Sequence, residues 1–176
     1  AFLLLGSFLY RAWQDRGWDR PVRVLPAQRS HSPALSFSPD GGLLASGDKD
    51  KVRIWDTRTW SEAAVLDIPA FDHHPTGFVE ALSFRPDGKS IAVGATHWAD
   101  DKSQVSSVRV LDLAAKRVLF QSGIWSGAIS GLDFSPDGGL LALSTNEWDQ
   151  IGQRYREGRA WICDMNGGAI RHNFAH

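Results

Sequence analysis

The chain has 176 residues, 43% of them apolar and 22% charged, with a net charge of −1. That composition fits a globular domain with a core of its own. A balance so near zero argues against a general nucleic-acid binder, which needs a basic footprint to displace counterions from phosphates. The single cysteine, Cys163, rules out an internal disulfide, so nothing calls for an oxidising compartment.

From Ala1 to Tyr10 the chain is apolar, AFLLLGSFLY, and the run stops at Arg11. Ten residues are half of the ~20 that cross a bilayer as a helix. No basic segment precedes them, as one would in a secretory signal. Two expectations stand. In one, the run is the end of a membrane helix, and Arg11, Trp13, Arg16, Trp18, Arg20 and Arg23 form an interfacial collar on its cytoplasmic side. In the other, it is a short element lying against the domain. The first sets residues 1–20 apart as a membrane anchor and puts 21–176 in the cytoplasm, at the face of that membrane.

Beyond the collar one phrase occurs three times: ALSFSPDG from Ala34, ALSFRPDG from Ala81 and GLDFSPDG from Gly131, at intervals of 47 and 50 residues. Self-similarity at such a period marks stacked supersecondary units. In the first unit Ala34 to Phe37 reads as a strand, and Ser38 to Gly42 as a turn in which Pro fixes φ, Asp bonds its own backbone and Gly takes φ > 0. Leu43–Ser46, Val52–Asp56 and Ala63–Ile68 follow as three more strands. The second unit gives Val79–Phe84, Ser90–Ala95, Val108–Leu113 and Arg117–Gln121. The third gives Ile129–Phe134, Leu140–Ser144, Arg159–Met165 and Ile170–Phe174. Each third strand is apolar at both parities, for example Val52, Ile54 and Trp55. A strand apolar on both faces is covered on both, which selects stacked sheets over a single two-layer sandwich.

These residues resemble the WD-repeat β-propellers. The FSPDG turn, the LLASG strand and Val52-Arg53-Ile54-Trp55-Asp56 carry the likeness, over roughly residues 30–176. The resemblance implies an all-β fold of four-stranded antiparallel blades around a channel, used as a rigid interaction platform, with blades at about 31–68, 78–121 and 128–174. It also implies a buried polar network, which only the first blade can build, from His31, Ser46, Asp48 or Asp50, and Trp55. Leu111 and Cys163 replace the Trp in the other blades, whose cores should rest on apolar packing with Cys163 as a small buried hydrophobe. Three blades fall short of the roughly four to eight that close a ring. The expectation is therefore a piece of a longer protein, with self-association of two copies into six blades as the alternative. On the family pattern, Pro21 to Leu25 resembles a stray fourth strand that latches the ring.

Inserts at Thr96–Ser106 and Thr145–Gly158 separate the second and third strands of the last two blades. By analogy they share one face of the ring with the links entering each first strand. That face collects Trp98, Trp125, Trp148 and Tyr155 beside Asp100, Asp101, Asp149, Arg154 and Arg156, the composition of a protein-binding hot spot. The competing expectation is that each Trp folds back to cap its own blade. Asp72, His73, His74, His97, Asp100 and Asp101 are metal-ligand types without a metal-ligand spacing, so no metal is expected. No nucleophile elbow, phosphate-cradling loop or paired-cysteine motif is present, so no cofactor and no enzymatic role are expected either. The functional expectation is a scaffold binding a protein or peptide. The alternative is a sensor or docking arm of a membrane-bound signalling enzyme, such as a kinase, with its catalytic part elsewhere. A purely oligomerising role is the third option.

Overall fold

A computed structural model describes residue 25 and residues 34–68, 77–98, 104–123, 125–146, 148–149, 154–155, 158–167 and 170–175. The apolar run 1–10, its collar, and His31, His73, His74, Asp100, Asp101 and Arg156 lie outside them, as does the stray strand except for Leu25.

Fifteen strands and no helix make up the described residues. The first sheet runs β1 (Leu35–Phe37), β2 (Leu43–Gly47), β3 (Lys51–Asp56) and β4 (Glu62–Asp67), each antiparallel to its neighbour. The second repeats that order with β5 (Phe78–Phe84), β6 (Ser90–Trp98), β7 (Gln104–Asp112) and β8 (Arg117–Gln121), and β9 (Trp125–Ser126) lies against β7 as a fifth strand. The third holds β10 (Ala128–Phe134), β11 (Leu140–Asn146), β14 (Arg159–Asp164) and β15 (Ile170–Ala175). Between β11 and β14 stands a small hairpin of β12 (Trp148–Asp149) and β13 (Arg154–Tyr155). The sheets form an open ring of three units, as the stacking of two-faced apolar strands requires.

The same local chemistry closes each turn. Asp40, Asp87 and Asp137 accept the backbone N–H two residues on, at 2.8–3.0 Å, and Gly41, Gly88 and Gly138 follow with φ of 67–70°. A Cβ at such a φ is strained, so glycine is required there. The hydroxyls of Ser38 and Ser135 hold the Asp40 and Asp137 carboxyls below the usual carboxylate range, with the turn N–H groups adding to the effect. The Asp closing each third strand acts alike: Asp56, Asp112 and Asp164 each accept backbone N–H groups of the next turn. For Asp56 the Thr59 and Arg58 amides also lower the pKa.

Two cores lie between the sheets. Ala45, Val52 and Ile54 of the first sheet pack on Val79, Leu82, Phe84, Ile91 and Val93 of the second. On the other face of the second sheet, Ala81, Ala92, Val108 and Val110 pack on Ile129, Phe134, Leu141, Leu143 and Trp161. Backbone separation at these interfaces is set by glycine: Gly47 meets Val79, and Gly94, its repeat equivalent, meets Ile129. A polar contact repeats too. Phe84 N–H donates to Ser36 Oγ at 3.3 Å, and Phe134 N–H donates to Ser83 Oγ at 3.4 Å.

Each outer strand carries a bulge at the same place, leaving Ala63, Leu119 and Arg171 without a partner across the ladder. Bulged edges twist away from further pairing, which protects the rim against strand addition. Glu80 and Ser130 are the corresponding bulged residues on the inner strands of the second and third sheets.

Candidate functional site

The stretch Thr96–Ser106, expected as a loop, is mostly sheet. β6 continues to Trp98 and β7 begins at Gln104, in unbroken register from Ser90↔Asp112 to Trp98↔Gln104. Polar residues hide this extension from a hydropathy reading, because the link after β8 is what covers it. Ser122 N–H donates to Val108 C=O and Val108 N–H to Ser122 Oγ, both at 2.9 Å. β9 then pairs Trp125 with Ser106 and Ser126 with Val105, and Gly127 N–H reaches Gln104 C=O at 2.8 Å. The hairpin is thus zipped along both edges of β7. In the third unit β11 likewise runs on to Asn146, and the hairpin pairs Trp148 with Tyr155 and Asp149 with Arg154.

The aromatics expected on one open face divide. Trp98, at the end of β6, is 50% exposed. Trp125 is buried, its ring 6.0 Å from that of Trp161 and tilted 41° to it, within the core between the second and third sheets. Pairing with β7 turns the Trp125 ring into that core between two blades. Trp148, Tyr155 and Arg154 are placed by backbone register in the small hairpin.

A buried polar row under the extended hairpin escaped the sequence reading. His97 and Arg109 are 3% and 2% exposed. Ser107 Oγ lies 3.4 Å from His97 Nε2, and Arg109 Nε donates to Gln121 Oε1 at 3.1 Å. Burial pushes the Arg109 pKa down, although a guanidinium keeps its proton. Arg53, at the same repeat position, instead pairs at the surface with Glu62 at 2.6 Å. The signal that separates the two arginines is the neighbouring sheet, which no local pattern records.

Thr96 links the second and third sheets. Its hydroxyl donates to Glu80 Oε2 at 2.5 Å and accepts Ile129 N–H at 3.1 Å. Burial pushes the Glu80 pKa up, and the Thr96 bond opposes that shift. A carboxyl whose folded pKa is raised adds nothing unfavourable below its ordinary value near 4.3, where both states are protonated. As pH rises through the raised value, the folded state must bury a charge and stability falls. Glu80→Gln keeps an acceptor for Thr96 without the charge. Its urea midpoint should exceed that of the parent at pH 7, with the advantage vanishing below about pH 4.

His31 of the network the family resemblance implied lies outside the described residues, and the Trp–Ser bond is in place. Trp55 Nε1 donates to Ser46 Oγ at 2.9 Å inside the first sheet. Asp50 contributes a backbone carbonyl, which accepts Ile68 N–H at 2.8 Å, and the Asp48 carboxylate accepts Lys49 N–H. In the other sheets the Trp–Ser pair is replaced by buried apolar pairs, Leu111 with Val93 and Cys163 with Leu143. Cys163 is 1% exposed, and burial pushes its thiol pKa up, away from reactivity. Among the described residues no group of three or more His, Cys, Asp or Glu side chains could hold a metal, and no helix is long and apolar enough to cross a membrane.

The family model for the WD domain, G-beta repeat, matches residues 19–56. Protein HIR1 of Cryptococcus neoformans var. neoformans serotype D is 27% identical over 77% of this chain and 17% of its own length. WD repeat-containing protein VIP3 of Arabidopsis thaliana is 28% identical over 69% of this chain and 38% of its own. Pre-mRNA-processing factor 19 homolog 2 of Arabidopsis thaliana is 32% identical over 65% and 19%. The chain thus spans well under half the length of these relatives. Among solved structures, the β-propeller domain of Myceliophteria thermophila Cps50 (Swd1) superposes with a TM-score of 0.61 at 18% identity, over 88% of this chain and 39% of that one. The three stacked sheets are blades of a WD-repeat β-propeller.

Proposed function

We propose that this chain is a non-catalytic docking module that holds a protein or peptide on the end of the blades bearing the two extended hairpins. Trp98 carries the reading. It is a half-exposed indole at the tip of a hairpin whose backbone is fixed by a strand on each side. A large aromatic on a rigid support meets a partner with little ordering cost, which is the economy of a hot spot. Trp148 and Tyr155 stand in the neighbouring unit at the matching place, after its second strand. Charged residues interleave them in sequence, Asp100 and Asp101 beside Trp98, and Arg154 and Arg156 around Tyr155. Charges so close in sequence to the aromatics are of the kind that selects among partners and steers association.

A random peptide display library panned on the immobilised chain tests this. Peptides retained by the parent should lose at least about tenfold in affinity on Trp98→Ala with Trp148→Ala, since one hot-spot aromatic contributes about 2 kcal/mol or more. The far-ultraviolet spectrum should not change. Equal retention by the double variant would remove this end of the blades from the binding surface.

A further inference from the structure

Neighbouring blades enclose a wedge whose mouth lies at the outer strands, and the repeat shows how each mouth is filled. Ala64 pairs with Ile54 in the first blade, and Phe120 pairs with Val110 at the same rung of the second. Phe120 and Met165 pack onto the core between the second and third blades. Ala64 and Leu113, in the same two repeat positions, pack onto the core between the first and second. The mouth of the first wedge therefore ends on a methyl group where the second ends on a phenyl ring.

The opposite wall of that mouth is apolar and open. Val118 pairs with Leu111, which belongs to the core of the first wedge, so the pleat turns both toward it. Val118 is 38% exposed, and Leu119, its bulged neighbour, is 46% exposed. The first blade has Glu62 and Ala63 in these positions, with Glu62 paired to Arg53, so the fold does not require apolar residues there. A blade added at either end of the row would stack on the outer face of the first or third sheet. It would leave this wedge, whose two walls are both in place, as it is.

The turn beneath the mouth is basic. Lys116 and Arg117 lead into Val118, both exposed and neither in an ion pair among the described residues. Lys89, exposed and unpaired in the same way, accepts Leu113 N–H on its backbone carbonyl at 3.0 Å. The acid of this turn, Asp112, accepts the Ala114 and Ala115 N–H groups at 2.9 and 2.7 Å. Lys116 has φ 51°, in the left-handed region, where the third blade has Gly168 by sequence and the first has Trp60 with φ 55°. A lysine thus stands where glycine would carry less strain.

We propose that the mouth of the wedge between the first and second blades binds an acidic segment of a partner protein. One large apolar side chain of that segment enters over Ala64, against Val118 and Leu113, and its flanking carboxylates lie on Lys116 and Arg117. The apolar side chain takes Val118 and Leu119 out of water. The carboxylates meet cations that have no ion pair to give up, and that complementarity selects an acidic segment over a basic one. The bulge at Leu119 keeps the segment from adding to β8 as a strand, so side chains carry the recognition. This mouth lies by Asp112, at the end of β7 remote from Gln104 and Trp98, and is separate from the docking end.

The probe is a fluorescein-labelled pentapeptide, two glutamates on each side of one phenylalanine, titrated with the whole chain and read by anisotropy. Saturable binding is expected. It should weaken at least about tenfold when alanine replaces the peptide's phenylalanine, or lysines its glutamates. Ala64→Phe fills the first mouth as Phe120 fills the second, and should weaken binding as much while the circular dichroism stays that of the parent. Lys116→Gly removes a charge and relieves a left-handed residue, so it should fold and bind more weakly, even where Ala64→Phe does not fold. Trp98→Ala with Trp148→Ala should leave this binding unchanged, which tells failure here from failure at the docking end. Three results would overturn the proposal: no saturable binding, parental binding by Lys116→Gly or a folded Ala64→Phe, or loss of binding in the double tryptophan variant. Binding to phosphatidylserine vesicles but not to the peptide would overturn it in favour of a membrane surface.

Discussion

Trp125→Ala should cost about 3–5 kcal/mol of stability, the range for removing a buried aromatic. Two losses combine in it. The indole leaves the core between the second and third blades, where it touches Trp161 and lies near Ile129 and Leu143. The link that zips β7 also loses its anchor at Ser106, because β9 is only two residues long. Trp98→Ala, by contrast, removes a half-exposed ring and should change the unfolding free energy by no more than about 0.5 kcal/mol. The two tryptophans flank one hairpin and look equivalent in sequence. Denaturation of the two single variants separates a core residue from a docking residue. A Trp125→Ala variant with parental stability would return Trp125 to the binding surface.

Legibility followed distance along the chain. The turn chemistry of Ser38–Gly42 and its two copies acts within five residues, so residue type alone announces it. The strands follow from the turns, and the burial of Val52, Val108 and Leu141 on two-faced strands follows from their composition. What stayed hidden depends on neighbouring sheets. Thr96, His97 and Ser106 read as loop because they are polar, and only the link through Ser122 and Trp125 turns them into buried strand. Arg53 and Arg109 have almost the same local sequence and opposite surroundings. Trp125 reads as an exposed anchor until its pairing with β7 is known. The bulges at Glu80 and Ser130 have no marker in the alternation of their strands. The docking end was therefore legible as a region, from its inserts, but not as a set of exposed side chains.

Gly47→Ala should cost about 3 kcal/mol, near the upper end of the usual cost of overpacking. A Cβ there would lie 2.6 Å from Val79 Cγ1, 2.9 Å from Val79 Cβ and 3.2 Å from the Val79 carbonyl oxygen. Rotation cannot relieve this, because Cβ and the carbonyl do not move with χ1 and a β-branched side chain in a strand has little choice of rotamer. Relief requires the first sheet to move off the second, which opens the core that Ala45, Ile54 and Leu82 share. Gly94→Ala poses the same problem in milder form: its Cβ would meet Ile129 Cγ2 at 2.9 Å and Cδ1 at 3.4 Å. Replacing Ile129 by Leu moves the branch off Cβ and removes Cγ2. The pair Gly94→Ala with Ile129→Leu should therefore recover about 1 kcal/mol relative to the sum of the single changes, within the range of coupling between touching residues. Val79→Ala should not rescue Gly47→Ala to the same extent, since the Cβ contact survives in it. Additive costs at Gly94 and Ile129, measured by urea denaturation, would mean that glycine there does not set the distance between blades.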